Sequence, residues 1–85
     1  EDLPAPSIRI MPNPSHGLFT LEFTPAASDM VSIRITDAVG SVILQENDIP
    51  VSGTFRQSYR ISKAGLYFLS VEGATFHSAT KIMVN

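Results

Sequence analysis

Two histidines, His16 and His77, can change charge near neutral pH and are the first candidates for acid–base chemistry. Nucleophilic catalysis also needs a nucleophile within reach of the base and a third group that orients that base. His16 follows Ser15 in a proline-rich turn, where neighbouring side chains seldom face each other. His77 belongs to the last alternating segment, among Phe76, Ser78 and Thr80. We predict two surface histidines and no catalytic residue.

Other constellations are equally weak. The chain has no Cys, and no carboxylate stands at a metal-ligand spacing from either His, so we predict no metal site. The turn glycines do not form the glycine-rich strand-to-helix loop that cradles a phosphate, and we predict no cofactor. A glycosidase pair depends on the separation of two carboxylates in space, and a shallow domain of this size disfavours it.

Composition narrows the class of protein. Charged residues make up 16% of the chain and hydrophobic residues 44%, which argues against disorder. The length of 85 residues allows one domain. The net charge of −2 disfavours nucleic-acid binding. No apolar run approaches the ~18–20 residues of a membrane span, so we expect no membrane insertion. The first residues lack the basic and apolar regions of a signal peptide.

Apolar residues occupy every second position along most of the chain, the pattern of strands with one buried face. No segment has the apolar spacing of an amphipathic helix. About seven short strands with a turn signal every 8–12 residues are typical of a β-sandwich. The predicted fold is therefore all-β: a seven-stranded, immunoglobulin-like antiparallel β-sandwich without a disulfide.

Three segments carry sharper predictions. Residues 37–40, with Asp first and Gly last, suit a type I turn between adjacent strands. The fourth strand, residues 41–45, contains three consecutive apolar residues and is either buried on both faces or bulged; residues 47–53 are predicted to be a loop. Tyr67 is either a plain core residue or a corner tyrosine whose hydroxyl bonds back to upstream backbone.

Two sets of side chains have a binding alternative. Six aromatic residues could line a sugar-binding platform, but their strand phase favours the core: Phe19, Phe23, Phe55, Tyr59, Phe68 and Phe76. Three arginines are predicted to share an outward face, which is more often solvated than a binding patch: Arg34, Arg56 and Arg60.

The order of the motifs adds information that none of them carries alone. Met11-Pro12-Asn13-Pro14 and Gly17 are followed by residues 33–37 leading into Gly40, then by residues 62–71 and finally by Thr80-Lys81-Ile82-Met83-Val84. This series resembles the type A C-terminal sorting domain of the type IX (Por) secretion system of Bacteroidetes-type bacteria, over about residues 8–85. Two positions depart from the family pattern: Ser41 stands where the family often has Lys or Arg, and Met83 stands where it prefers Ile or Val.

The resemblance implies a non-catalytic module attached to a larger upstream cargo domain. The cargo would reach the periplasm, pass the outer-membrane translocon, and lose this domain to a cell-surface sortase. It would then be coupled to anionic lipopolysaccharide or released, so that its location is the periplasm in transit and then the cell surface or medium. Residues 1–7 are predicted to be a linker and processing region, and residues 8–85 the sorting domain. A weakly charged surface with edge strands also allows a weak homodimer.

The resemblance also suggests residue roles. The predicted recognition segment is Lys81, Ile82, Met83, Val84 and Asn85, on a last strand whose free edge would offer backbone groups for strand addition. Lys81 could instead be an edge residue that prevents aggregation. The remaining motif residues are predicted to be structural: Pro12, Asn13, Pro14, Gly17, Asp37, Gly40, Gly65 and Tyr67.

Two other functions remain open on the sequence. An immunoglobulin- or fibronectin-like adhesive or carbohydrate-binding module would fit the fold and the aromatic residues. A small hydrolase that depends on His77 is the least favoured hypothesis.

Overall fold

A computed structural model describes residues 6–85, and in this range the chain forms seven antiparallel strands and no helix. The predicted processing region lies mostly outside the described residues. The strands are β1 (Arg9–Met11), β2 (Leu18–Phe23), β3 (Asp29–Asp37), β4 (Val42–Val51), β5 (Phe55–Arg60), β6 (Gly65–Glu72) and β7 (His77–Val84). The all-β prediction is confirmed.

The strands form two sheets, one of order β1-β2-β5 and one of order β4-β3-β6-β7. The pairings of β2 with β5 and of β3 with β6 connect strands that are distant in sequence, as in immunoglobulin-like sandwiches. The fourth strand lies beside β3 and not beside β5. A constant-type immunoglobulin domain would instead place its fourth strand in the first sheet.

The core lies between the two sheets and is built from alternate strand positions. In β2, β3 and β6 every second side chain is buried, as the period of two predicts. The buried apolar residues are Phe19, Leu21, Phe23, Val31, Ile33, Ile35, Val51, Tyr59, Ile61, Tyr67, Leu69, Val71, Ile82 and Val84. Truncating a fully buried Leu or Ile to Ala costs about 2–5 kcal/mol, so these residues dominate the stability of the fold.

The fourth strand differs most from the prediction. It runs from Val42 to Val51, so the loop predicted for residues 47–53 is wrong over most of its length. Burial on both faces is also wrong, because Val42 is 52% and Ile43 45% exposed. The alternative of a bulge is confirmed by two register shifts against β3. Pro50 lies in an edge strand, which is where sheets tolerate proline, because half of the backbone groups of such a strand face away from the ladder.

The predicted turn after β3 is confirmed. The N–H of Gly40 donates to the carbonyl oxygen of Asp37 at 3.0 Å, and the φ of Gly40 is 91°. The carboxylate oxygen Oδ1 of Asp37 accepts hydrogen bonds from the N–H groups of Val39 at 3.1 Å and Ser41 at 2.9 Å. Asp37 therefore satisfies two turn amides, which is the usual role of Asp at the first position.

Tyr67 is both a core residue and a corner residue. Its side chain is 5% exposed, and its hydroxyl donates to the carbonyl oxygen of Lys63 at 2.7 Å. The hydrogen bond ties the start of β6 to the turn before it, as the tyrosine-corner alternative predicts.

The predicted common face of three arginines is wrong. Arg34 is in β3, in the four-stranded sheet, where its Nε donates to the side-chain oxygen of Gln45 at 2.7 Å. Arg56 and Arg60 are in β5, in the other sheet. Arg9 and Arg56 both form ion pairs with Glu22. The strand alternation showed correctly that each arginine points outward, but it could not show which sheet each belongs to.

Replacing Tyr67 by Phe tests the corner hydrogen bond. We expect Tyr67→Phe to lower the free energy of unfolding by about 1 kcal/mol, because the carbonyl of Lys63 loses its donor. Chemical denaturation of both proteins measures the difference. An unchanged midpoint would show that the hydrogen bond does not stabilise the corner.

Glu22 makes stability depend on pH. Hydrogen bonds from Arg56 hold the pKa of the Glu22 carboxyl below its ordinary value of 4.5. A carboxyl group whose pKa is lowered in the folded state stabilises the native protein at pH values above its ordinary pKa. This stabilisation is lost as the pH falls through the folded-state pKa. As the pH is lowered below 4.5, we expect the melting temperature of Glu22→Gln to fall less than that of the unchanged protein. Glu72→Gln, at an exposed position, should follow the unchanged protein; equal slopes for all three would contradict the assignment.

Candidate functional site

Residues 12–15, which we call the clasp, connect β1 to the far sheet. Ser15 forms a parallel bridge with Val84 of β7. The N–H of Ser15 donates to the carbonyl oxygen of Met83 at 2.9 Å, and the N–H of Asn85 donates to the carbonyl oxygen of Ser15 at 2.8 Å. The clasp therefore adds a short strand-like segment to the outer edge of β7.

Asn13 extends this pairing with its side chain. Its Nδ2 donates to the carbonyl oxygen of Lys81 at 2.9 Å, and its Oδ1 accepts from the N–H of Met83 at 3.0 Å. One side-chain amide thus pairs with a donor and an acceptor of β7, as the backbone of a neighbouring strand would. These partners also fix the orientation of the amide, because rotation by half a turn would place donor against donor and acceptor against acceptor.

The clasp closes the part of β7 that was predicted to be open. β7 pairs with β6 along its inner edge, and alternate residues direct their backbone groups to the outer edge. Both outer groups of Met83, the carbonyl oxygen of Lys81 and the N–H of Asn85 are already bonded to Asn13 or Ser15. The prediction of free backbone groups for strand addition is therefore wrong for these four groups.

Ser15 and Gly17 return the chain from the clasp to β2. The Ser15 side chain is 1% exposed, and its Oγ accepts a hydrogen bond from the N–H of Gly17 at 3.2 Å. Gly17 has a φ of 116°, and a Cβ at this position would lie 2.7 Å from the carbonyl oxygen of Ile61. The N–H of Ile61 donates to the carbonyl oxygen of Gly17 at 2.8 Å. Both the backbone conformation and the close approach require glycine here.

The predicted recognition residues divide into two groups. The side chains of Ile82 and Val84 are 0% and 3% exposed and belong to the core. Lys81, Met83 and Asn85 are exposed and point away from the core. A partner can therefore touch the side chains of the second group only, and the first group holds β7 in the sandwich.

The structure brings the motif residues to one end of the sandwich. Asp37 pairs with Tyr67, Tyr67 pairs with Ile82, and Gly65 pairs with Val84. The clasp contacts the same end of β7. Motifs that are separated in sequence thus surround the last strand. The φ of Gly65, 155°, and that of Gly40 confirm that both glycines adopt backbone conformations that favour glycine.

The clasp contains the contacts that sequence reasoning missed. Asn13 was predicted to be structural, but nothing local shows that its partners lie 68 and 70 residues away. The available signal was its place between Pro12 and Pro14, which have no N–H of their own and leave the side-chain amide to make the pairing. Ser15 gave no comparable signal.

The residues considered for catalysis are dispersed. The hydroxyl of Ser15 is buried in the clasp, whereas His16 is exposed. His77 is exposed and pairs across strands with Glu72. Within residues 6–85, no three His, Asp or Glu side chains lie close enough together to hold a metal ion. No helix in this range is long and apolar enough to cross a membrane.

The aromatic residues are mostly core residues, as predicted. Phe19, Phe23 and Tyr59 are buried, and Phe55 and Phe76 are half-buried against the core. Phe68 is the exception, with 39% of its surface exposed. One exposed ring does not form the row of aromatic side chains that the sugar-platform hypothesis needs.

Fold and clasp together define an immunoglobulin-like β-sandwich whose first turn is bonded to its last strand. In a comparison with known families, residues 9–85 match the secretion system C-terminal sorting domain, and the chain belongs to this family. The match confirms the resemblance to type IX sorting domains. No curated protein matches the chain. Membership identifies a sorting signal for export to the cell surface or the medium.

Replacing Asn13 tests the clasp. We expect Asn13→Ala to speed amide hydrogen exchange at Met83, whose N–H loses its acceptor, and to lower stability by about 1 kcal/mol. Asn13→Asp keeps an acceptor for Met83 but loses the donor to Lys81, so it should retain more protection. Gln57→Ala removes an exposed side-chain amide from β5 and serves as the control. Equal exchange at Met83 in all variants would contradict the role of Asn13.

Proposed function

We propose that this chain is a non-catalytic sorting signal that guides a larger cargo from the periplasm through the outer-membrane translocon. A cell-surface sortase then removes it, and the cargo is coupled to anionic lipopolysaccharide or released. The family match over residues 9–85 is the observation that carries this proposal.

The clasp supports a recognition role for the end of β7. Four hydrogen bonds with residues 13 and 15, two donated and two accepted by them, hold residues 81–85 in one conformation. A partner that binds an ordered segment does not have to supply the free energy of ordering it. Lys81 and Met83 are exposed on this ordered segment, so their side chains are available for recognition.

The segment before β1 supports removal by a protease. Ser7 is exposed, and the first strand begins only at Arg9. Exposed segments outside regular structure are the usual sites of proteolysis. Cleavage before Ile8 would leave both sheets and the clasp intact, so the domain could be released as a folded unit.

Export of a full-length cargo tests the proposal. We expect cargo that lacks residues 8–85, or residues 80–85 alone, to accumulate in the periplasm, because the second deletion removes Ile82 and Val84 from the core. Fractionation and surface labelling measure the distribution. Normal surface display of either truncated cargo would contradict the proposal.

Mass spectrometry of the exported cargo separates this function from its main alternative. A removed signal predicts mature cargo without residues 8–85. An adhesive or carbohydrate-binding module predicts mature cargo that retains them.

A further inference from the structure

We propose that the secretion machinery recognises the side chains of one half of the outer surface of the four-stranded sheet. This apolar face consists of Val42, Leu66, Phe68, Lys81 and Met83 around the half-buried Thr36. Its partner is a protein surface with carboxylates around an apolar centre. The inference rests on the proposed sorting function and specifies the surface that performs it.

The strand register places these residues together. Thr36 lies opposite Val42 on one side and opposite Phe68 on the other, and Phe68 lies opposite Lys81. These four residues form one row across all four strands, which spans about 14 Å at the usual strand spacing. Leu66 lies opposite Met83 in the next row on the same surface.

The rest of this outer surface has a different character. Its other half is lined by Ser32, Arg34, Gln45, Ser70, Glu72 and His77. On the apolar face, by contrast, Val42 is 52%, Phe68 39% and Met83 41% exposed. Clustering of exposed apolar side chains on one half of a sheet is typical of an interaction surface.

The clasp directs recognition to this face. Because Asn13 and Ser15 occupy the outer edge of β7 at residues 81–85, a partner cannot pair with that backbone while the clasp is closed. Lys81 and Met83 instead present their side chains on the apolar face. Recognition of the last strand is therefore possible through side chains without opening the fold.

The charges at this end of the sandwich indicate the partner. The face continues into a groove of about 560 Å³ whose lining includes Val39, Ile43, Arg60 and Lys63. Within residues 6–85, the ion pairs involve only Arg9, Arg56 and Glu22. In this part of the chain, Lys81 of the face and Arg60 and Lys63 of the groove therefore have no carboxylate partner. Asp37, which also lines the groove, already accepts two hydrogen bonds from its own turn.

Other occupants fit less well. A second copy bound across a two-fold axis would bring Lys81 and its neighbouring cations close to the same cations of the other copy, and these like charges would repel each other. Binding to an anionic membrane usually involves clusters of about four to eight basic residues. This chain has six in total and a net charge of −2. An acidic and apolar protein surface complements both the charge and the exposed apolar side chains.

Export of full-length cargo with substitutions on the face tests this inference. We expect Phe68→Ser/Lys81→Glu to lower surface display at least tenfold and to leave cargo in the periplasm. Lys81→Glu alone should lower export several-fold without affecting the core. Lys81→Arg, which keeps the positive charge, should export normally. The matched control, Leu18→Ser/Arg34→Glu, changes an exposed apolar residue and a cation outside the face and should export normally.

Crosslinking identifies the occupant. A photoreactive phenylalanine at position 68 of the cargo should crosslink to an outer-membrane protein of the secretion system, and the same group at position 34 should not. Crosslinks at position 68 only to a second copy of the cargo, or only to lipid, would overturn the proposed partner.

The outcomes separate this inference from the proposed function. If deletion of residues 8–85 blocks export but Lys81→Glu and the double variant export normally, the face is not the recognition surface and the sorting function stands. If the deletion itself leaves export unchanged, the sorting function fails, and the recognition role of the face fails with it. Thermal melts of the purified 85-residue variants check that each change leaves the fold intact.

Discussion

The pairing of the Asn13 side chain with β7 determines which parts of the last strand are accessible. Without it, the N–H of Met83 and the carbonyl of Lys81 would be unpaired groups on a sheet edge, open to any other strand. With it, β7 has a neighbour on both sides near its end, and only its outward side chains remain available. These two hydrogen bonds therefore protect the edge and leave the outward side chains as the accessible part of this segment.

The core makes this arrangement possible. Ile82 and Val84 are fixed between the sheets, so the residues between and beside them must point outward. Tyr67 pairs across strands with Ile82 and anchors the start of β6 through its hydroxyl. The apolar face is therefore a direct consequence of strand alternation around a well-packed interior, and its side chains are positioned by a rigid sheet.

Much of this architecture could be predicted from the sequence, because one buried face per strand imposes a period of two. The prediction failed at β4, where Asn47, Asp48 and Pro50 have the composition of a loop, and the bulge against β3 breaks the alternation. It also failed for the clasp, since a bond between a side-chain amide and a distant backbone leaves no periodic pattern. The family motifs are spread along the sequence, and only the fold shows that they meet at one end.

The distance along the chain between the clasp and its partners in β7 has a consequence for the order of events during synthesis. Asn13 and Met83 are separated by 70 residues, so their hydrogen bond can form only after almost the whole domain has been synthesised. A cargo whose translation stops short of Met83 can close neither the clasp nor the core. The complete sandwich, and any binding that requires it, therefore depends on translation through the last strand of the domain.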